Sequence, residues 1–148
     1  MIVQGPRTAE SLEIVARVAV IAQTAGNANK VEQGRLKLSA TDPVLRLERV
    51  RFQGDRPIAC EKIVLSLTRF PGLQDEDQIT SSIAEIAKRW GVALGQATER
   101  AEIARASKHV AAQLGIALNA PVMKLDRIVV TRRGEAVEWR VAFTIPDW

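Results

Sequence analysis

The sequence predicts an α+β fold: one antiparallel sheet of about six strands with helices on one face, related by an internal pseudo-twofold. Three observations lead there. The run Pro43-Val44-Leu45-Arg46-Leu47-Glu48-Arg49-Val50 returns as Pro121-Val122-Met123-Lys124-Leu125-Asp126-Arg127-Ile128, with four identities and four replacements that keep size and charge. Each copy then meets a glycine-containing turn, Gly54-Asp55 or Gly134-Glu135, and a second apolar-rich segment, which is a hairpin pattern. Between the hairpins, Ile83, Ile86, Ala87 and Trp90 fall at i, i+3, i+4 and i+7, the stripe of a helix packed on a sheet.

Each element has its own reason. Residues 12 to 22 alternate Leu12, Ile14, Ala16, Val18 and Val20 on one face and are rich in β-branched side chains, which reads as a strand. Gly26, Asn27 and Asn29 mark a turn, followed by a short helix ending at Gly34. Pro43 opens the first repeated strand, and residues 57 to 67 return as its partner. Phe70-Pro71-Gly72 breaks the chain, and Asp75-Glu76-Asp77 reads as a solvated loop. Ser82 and Glu85 stand at capping-box spacing before the central helix, and Gly91 ends it. The second copy supplies a strand over residues 96 to 105, a helix from Ser107 to Leu114 stopped by Gly115, and a hairpin from residues 122–131 and 137–144. Upstream of the repeated strands the offset persists: Lys30, Leu36 and Leu38 match Lys108, Leu114 and Ile116.

The 148 residues have the size of one ordinary domain, and 47 % apolar with 26 % charged residues is average for a globular chain. No stretch approaches the roughly 20 apolar residues that span a bilayer. The first residues lack the basic-then-apolar layout of a secretion signal. Cys60 is the only cysteine and His109 the only histidine, so neither a disulfide within the chain nor a metal cluster is expected. A cytoplasmic protein without cofactor is the expectation. The net charge of +4 comes from basic residues that alternate with acids, and without tyrosine there is no base-stacking platform. The charge is a mild surface property.

Strand alternation puts Leu45, Leu47, Arg49 and Arg51 on one face and, in the returning strand, Ala59, Glu61, Ile63 and Leu65. With a three-residue turn over residues 54–56, Arg49 stands opposite Glu61. Charges on a mostly apolar face must be paired or must bind something. One reading is an internal Arg49–Glu61 ion pair; the other is an Arg49/Arg51 fork for a phosphate or carboxylate, with Glu61 taking a hydroxyl or amine. The repeat favours the ligand, because Arg127 keeps the place of Arg49 while Val129 replaces Arg51. Ser82 is an N-cap and, beside Thr80 and Ser81, also a place where an anion could meet a helix start. Glu138 and Arg140 alternate with apolar neighbours and read by pattern as a solvated or interface face. His109 reads as a surface or packing residue, and Cys60 as a small core residue.

The set Pro43 to Arg51, Gly54, Pro57-Ile58, Glu61, Phe70-Pro71-Gly72-Leu73, Ser82-Ile83, Leu114-Gly115-Ile116 and Val137-Glu138-Trp139-Arg140 resembles the UTRA domain. This is the effector-binding domain of HutC-subfamily GntR transcription regulators, similar in fold to chorismate lyase. The resemblance covers residues 12 to 143. It implies a sensor that binds a small anionic metabolite between sheet and helices and forms a homodimer through the sheet. It also implies ligand contacts by residues matching Arg49, Arg51, Glu61, Ser82 and Glu138, and no catalysis. Family regulators carry an N-terminal winged helix-turn-helix, and no such segment precedes the first strand here. DNA would be reached only through that missing domain, and the chain reads as a single domain, an excised sensor or a stand-alone relative. The end at Trp148 implies a shortened final segment. Two alternatives stand beside the sensor: a chorismate lyase-like enzyme with Glu61 as general acid, and a dimerisation module without ligand.

Overall fold

The computed structural model describes residues 2–8 and 17–146. In chain order these form β1 (Ile2–Thr8), β2 (Arg17–Asn27), α1 (Lys30–Leu36), β3 (Pro43–Gln53), β4 (Arg56–Ser66), a 3-10 turn (Leu73–Asp75), α2 (Ile83–Arg89), β5 (Leu94–Arg105), α3 (Lys108–Leu114), β6 (Pro121–Thr131) and β7 (Ala136–Thr144). The strands make one seven-stranded sheet in the order β1-β5-β6-β7-β4-β3-β2. Every neighbouring pair is antiparallel.

The repeat explains this order. A pseudo-twofold between β4 and β7 exchanges β2 with β5, β3 with β6, β4 with β7, and α1 with α3. Among the described elements β1 and α2 have no counterpart. The α+β class and the duplicated hairpins are as the sequence predicts, but the sheet has a seventh strand. β1 pairs with β5 from Ile2↔Glu102 to Thr8↔Gln96. Its Gly5-Pro6 hides it from any strand pattern, although an edge strand tolerates proline.

Two boundaries differ near the start. Residues 12–16 of the expected first strand lie outside the described residues, and β2 runs on to Asn27, through the expected turn. The expected stop of α1 at Gly34 is also passed. Asn29 and Glu32 form a full capping box, the helix continues until Leu36 is buried, and Lys37 ends it with φ 54°.

The hairpin β3–β4 reaches the expected Arg49↔Glu61 register by another route. A two-residue turn, Gly54-Asp55, pairs Gln53 with Arg56, and Ile58 is an extra residue between the pairs Phe52↔Pro57 and Arg51↔Ala59. The bulge restores the register that a three-residue turn would give.

Helices lie on both faces, where the sequence reading put them on one. α1 and α3 do share a face: Leu36 meets Val44 and Val64, while Val110, Ala111 and Leu114 meet Val50, Cys60 and Val122. α2 takes the opposite face. Its Ile83, Ile86 and Ala87 bury against Leu45, Leu47, Ile63 and Leu65 of the first copy and Ala97, Val129 and Val137 of the second. Alternation makes both strand faces apolar at this end, so both need cover. Each buried isoleucine contributes about 1.5–3 kcal/mol. Trp90 closes the end of α2, edge-on to Phe70 and donating from Nε1 to the Pro71 carbonyl at 2.8 Å.

Candidate functional site

The face covered by α2 carries a row of charges at the middle of the sheet. Arg49 lies in β3, Glu61 in β4, Arg140 and Glu138 in β7, Arg127 in β6 and Glu99 in β5. All six are at most 5 % exposed. Arg49 Nε donates to Glu61 Oε1 at 2.9 Å, and its Nη1 donates to the carbonyls of Ile79 (3.2 Å) and Ser81 (2.8 Å), just before α2. Arg51 Nη2 is 3.2 Å from Glu61 Oε1, and Arg140 Nη1 is 3.5 Å from Glu61 Oε2. Next to them, Arg127 Nη2 donates to Glu138 Oε1 at 2.9 Å.

Glu61 therefore holds three guanidinium groups on one carboxylate. Burial alone would raise its pKa. Arg140, Arg49 and Arg51 outweigh that, and the carboxyl is held below its usual range. It is an ionised acceptor and not a proton donor near neutral pH.

Beside this cluster opens a cavity of about 520 Å³, bordered by Arg51, Glu61, Glu99, Arg127 and Arg140 and floored by Ala59, Leu125 and Ala142. The pseudo-twofold accounts for its position. β3 positions 47, 49 and 51 repeat as 125, 127 and 129 in β6, and the register pairs Leu47 with Ile63 as it pairs Leu125 with Ala142. The cavity thus occupies the end of the face equivalent to the end that α2 covers. Val129 lies under α2, and its twin Arg51 faces the open end. That placement is the physical reason for the asymmetry visible in the repeat.

Of the residues singled out from sequence, Arg51 and Glu61 line the cavity, and Arg51 has 12 % of its side chain exposed. Arg49 stands behind Glu61, bonded to it and to the α2 approach. Glu138 stands behind Arg127. Ser82 is the α2 N-cap: its hydroxyl accepts from the Glu85 amide at 3.1 Å, Glu85 bonds back to the Ser82 amide, and Ser82 is not among the cavity-lining residues. The solvated face expected for Glu138 and Arg140 is overturned, since they are 1 % and 4 % exposed. Arg127, Arg140 and Glu99 were missed as site residues. Arg127 had a signal, because it repeats Arg49.

A second groove, of about 560 Å³, lies on the other face beside α1. One charge pair there is internal, with Arg46 bonding both oxygens of Glu32 at 2.7 and 2.8 Å. His109, also on that face, is bound to Glu48 at 2.7 Å. Among the described residues no group of three or more His, Cys, Asp or Glu side chains could hold a metal ion.

Comparison with known proteins places this architecture. The family model described as the UTRA domain matches residues 11–147. The chain belongs to the UTRA domain family. A relative of this UTRA chain is the HTH-type transcriptional repressor PhnF of Mycolicibacterium smegmatis, 32 % identical over 114 residues. That alignment takes in 76 % of this chain and 46 % of the repressor, so the chain spans about half of its relative's length. Among solved structures, the effector domain of PhnF from Mycobacterium smegmatis superposes with a TM-score of 0.81 at 25 % identity, covering 92 % of this chain and 84 % of that one. The ligand-binding domain of a GntR-family regulator from Bordetella bronchiseptica shares the fold, with a TM-score of 0.79 at 22 % identity over 89 % and 86 % of the two chains. The chorismate lyase-like sheet expected of a UTRA domain is the one observed.

Proposed function

We propose that this UTRA domain is the effector-binding domain of a GntR-type, HutC-subfamily transcription regulator. It takes a small phosphate- or carboxylate-bearing metabolite into the cavity beside Glu61. Occupancy shifts the population of domain arrangements and so governs a DNA-binding domain carried elsewhere in the longer protein. The observation that carries this reading is a cavity wall on which Arg51, Arg127 and Arg140 gather beside Glu61 and Glu99. Arg51 and Arg140 both border the open space, where guanidinium groups can add charge-assisted hydrogen bonds to a phosphate or carboxylate. The reading includes a homodimer, to be checked by light scattering, and a cytoplasmic setting. No helix among the described residues is long and apolar enough to cross a membrane.

The lyase alternative needs a protonated general acid. Glu61, the available carboxyl of that reading, is held ionised by three arginines, which favours binding over turnover. The test is a thermal-shift screen of sugar phosphates, amino acids and short carboxylates, followed by titration calorimetry. An anion should bind saturably, and Arg51→Ala should weaken it by roughly 1.5–3 kcal/mol, the range of a charge-assisted contact. Binding unaffected by Arg51→Ala, or pyruvate release from chorismate, overturns the reading.

A further inference from the structure

The open end of the face differs from its twin in size as well as charge. Where the α2 end carries Ile63 and Leu65, the equivalent positions are Ala142 and Thr144, because Leu47↔Ile63 and Leu45↔Leu65 repeat as Leu125↔Ala142 and Met123↔Thr144. Ala59 likewise stands where the second copy has Glu138, since Arg51↔Ala59 repeats as Val129↔Glu138. These three wall positions are cut back, while Leu125 keeps the size of Leu47. The pairing also puts Ala142 directly between Glu61 on one side and Leu125 on the other. An apolar floor of Ala59, Leu125 and Ala142 therefore adjoins the guanidinium cluster, with Ile58, Ile145 and Pro146 lining the cavity beside the polar Gln53, Arg56 and Thr144. A bare inorganic anion bound at the arginines would leave this floor uncovered. Apolar walls gain only when a ligand displaces water from them.

We infer that the effector is an organic anion whose compact apolar body lies over Ala142 and Leu125, and that Ala142 sets the size of that body. This rests on the anion site proposed above and adds the chemistry of the rest of the ligand. Two probes separate the two ideas: inorganic phosphate and phenyl phosphate, titrated by calorimetry into the unsubstituted chain, Ala142→Ile and Arg51→Ala. Phenyl phosphate should bind more tightly than phosphate by roughly tenfold or more, the scale of one apolar group in a fitted pocket. Ala142→Ile, which restores the side chain of the twin position, should bring the ratio of phenyl phosphate to phosphate affinity down to about one. Arg51→Ala should weaken both probes.

Equal affinity for the two probes in the unsubstituted chain overturns the inference, as does an advantage that survives Ala142→Ile in a variant with an unchanged thermal melt. If Ala142→Ile fails to fold, the ratio in the unsubstituted chain and in Ala142→Val decides. Phosphate binding that depends on Arg51 with no gain from the phenyl group sinks this inference alone. Absence of binding by either probe, or phosphate binding indifferent to Arg51, removes the anion site and this inference with it.

Discussion

Arg49 and Glu61 face each other across β3 and β4 because side chains alternate along a strand and the hairpin fixes the register. The alternation and the Arg49–Glu61 pairing were legible in the sequence, but the two-residue turn and the bulge that set the register were not. Arg140 was not, because a strand buried on both faces gives alternation without saying which face is wet, and both faces of β7 turn out to be covered. Glu61 also sets a pH dependence. Its folded pKa lies below its unfolded one, so the unfolded chain binds the proton more readily as the medium is acidified. The stability it contributes is present above the ordinary carboxylate value of about 4.3 and is lost as pH falls through the lower folded value. The melting temperature should therefore fall steeply below that point. Glu61→Gln should flatten the fall while lowering stability at neutral pH, where it leaves buried guanidiniums without their carboxylate. Equal acid slopes for the two proteins would remove Glu61 from this account. Glu32, lowered chiefly by its hydrogen bond from Arg46, leaves some acid dependence in the variant.

α2 shows how an element is fixed by few residues. It has only seven residues, and its start is held by the Ser82–Glu85 capping box and by Arg49 reaching the carbonyls of Ile79 and Ser81. Ser82→Ala should cost about 1 kcal/mol of stability, as other serine caps do, measured by urea unfolding. Anion affinity should not change, because the hydroxyl is engaged at the cap and lies off the cavity. A loss of affinity larger than the loss of stability would return Ser82 to the ligand site. The helix, its cap and its end were readable from spacing alone. β1 was not, because glycine and proline interrupt its pattern and its pairing partner, β5, lies about a hundred residues away. The side of the sheet taken by α2 was also hidden, since periodicity states which stripe is buried and not against which face.

Across the molecule, the two copies are not independent lobes. β4 and β7 join them at the centre of the sheet, and the core beneath α2 draws residues from both. Thermal unfolding should be a single cooperative transition, with calorimetric and van't Hoff enthalpies in agreement. Two resolved transitions would show that the halves fold separately. The duplication itself was the clearest message of the sequence, and its pseudo-twofold appears in the strand order. The position of the cavity needed the structure, because it depends on α2 having no twin among the described elements.

That single roof has a consequence for how such domains diversify. Packing under α2 uses Leu47, Ile63 and Val129, while the hollow uses Leu125, Ala142 and Arg51, so the packed core and the cavity wall draw on different copies of the same positions. The backbone arrangement outlasts wide sequence change: chains at 22 and 20 % identity superpose on this one with TM-scores of 0.79 and 0.81.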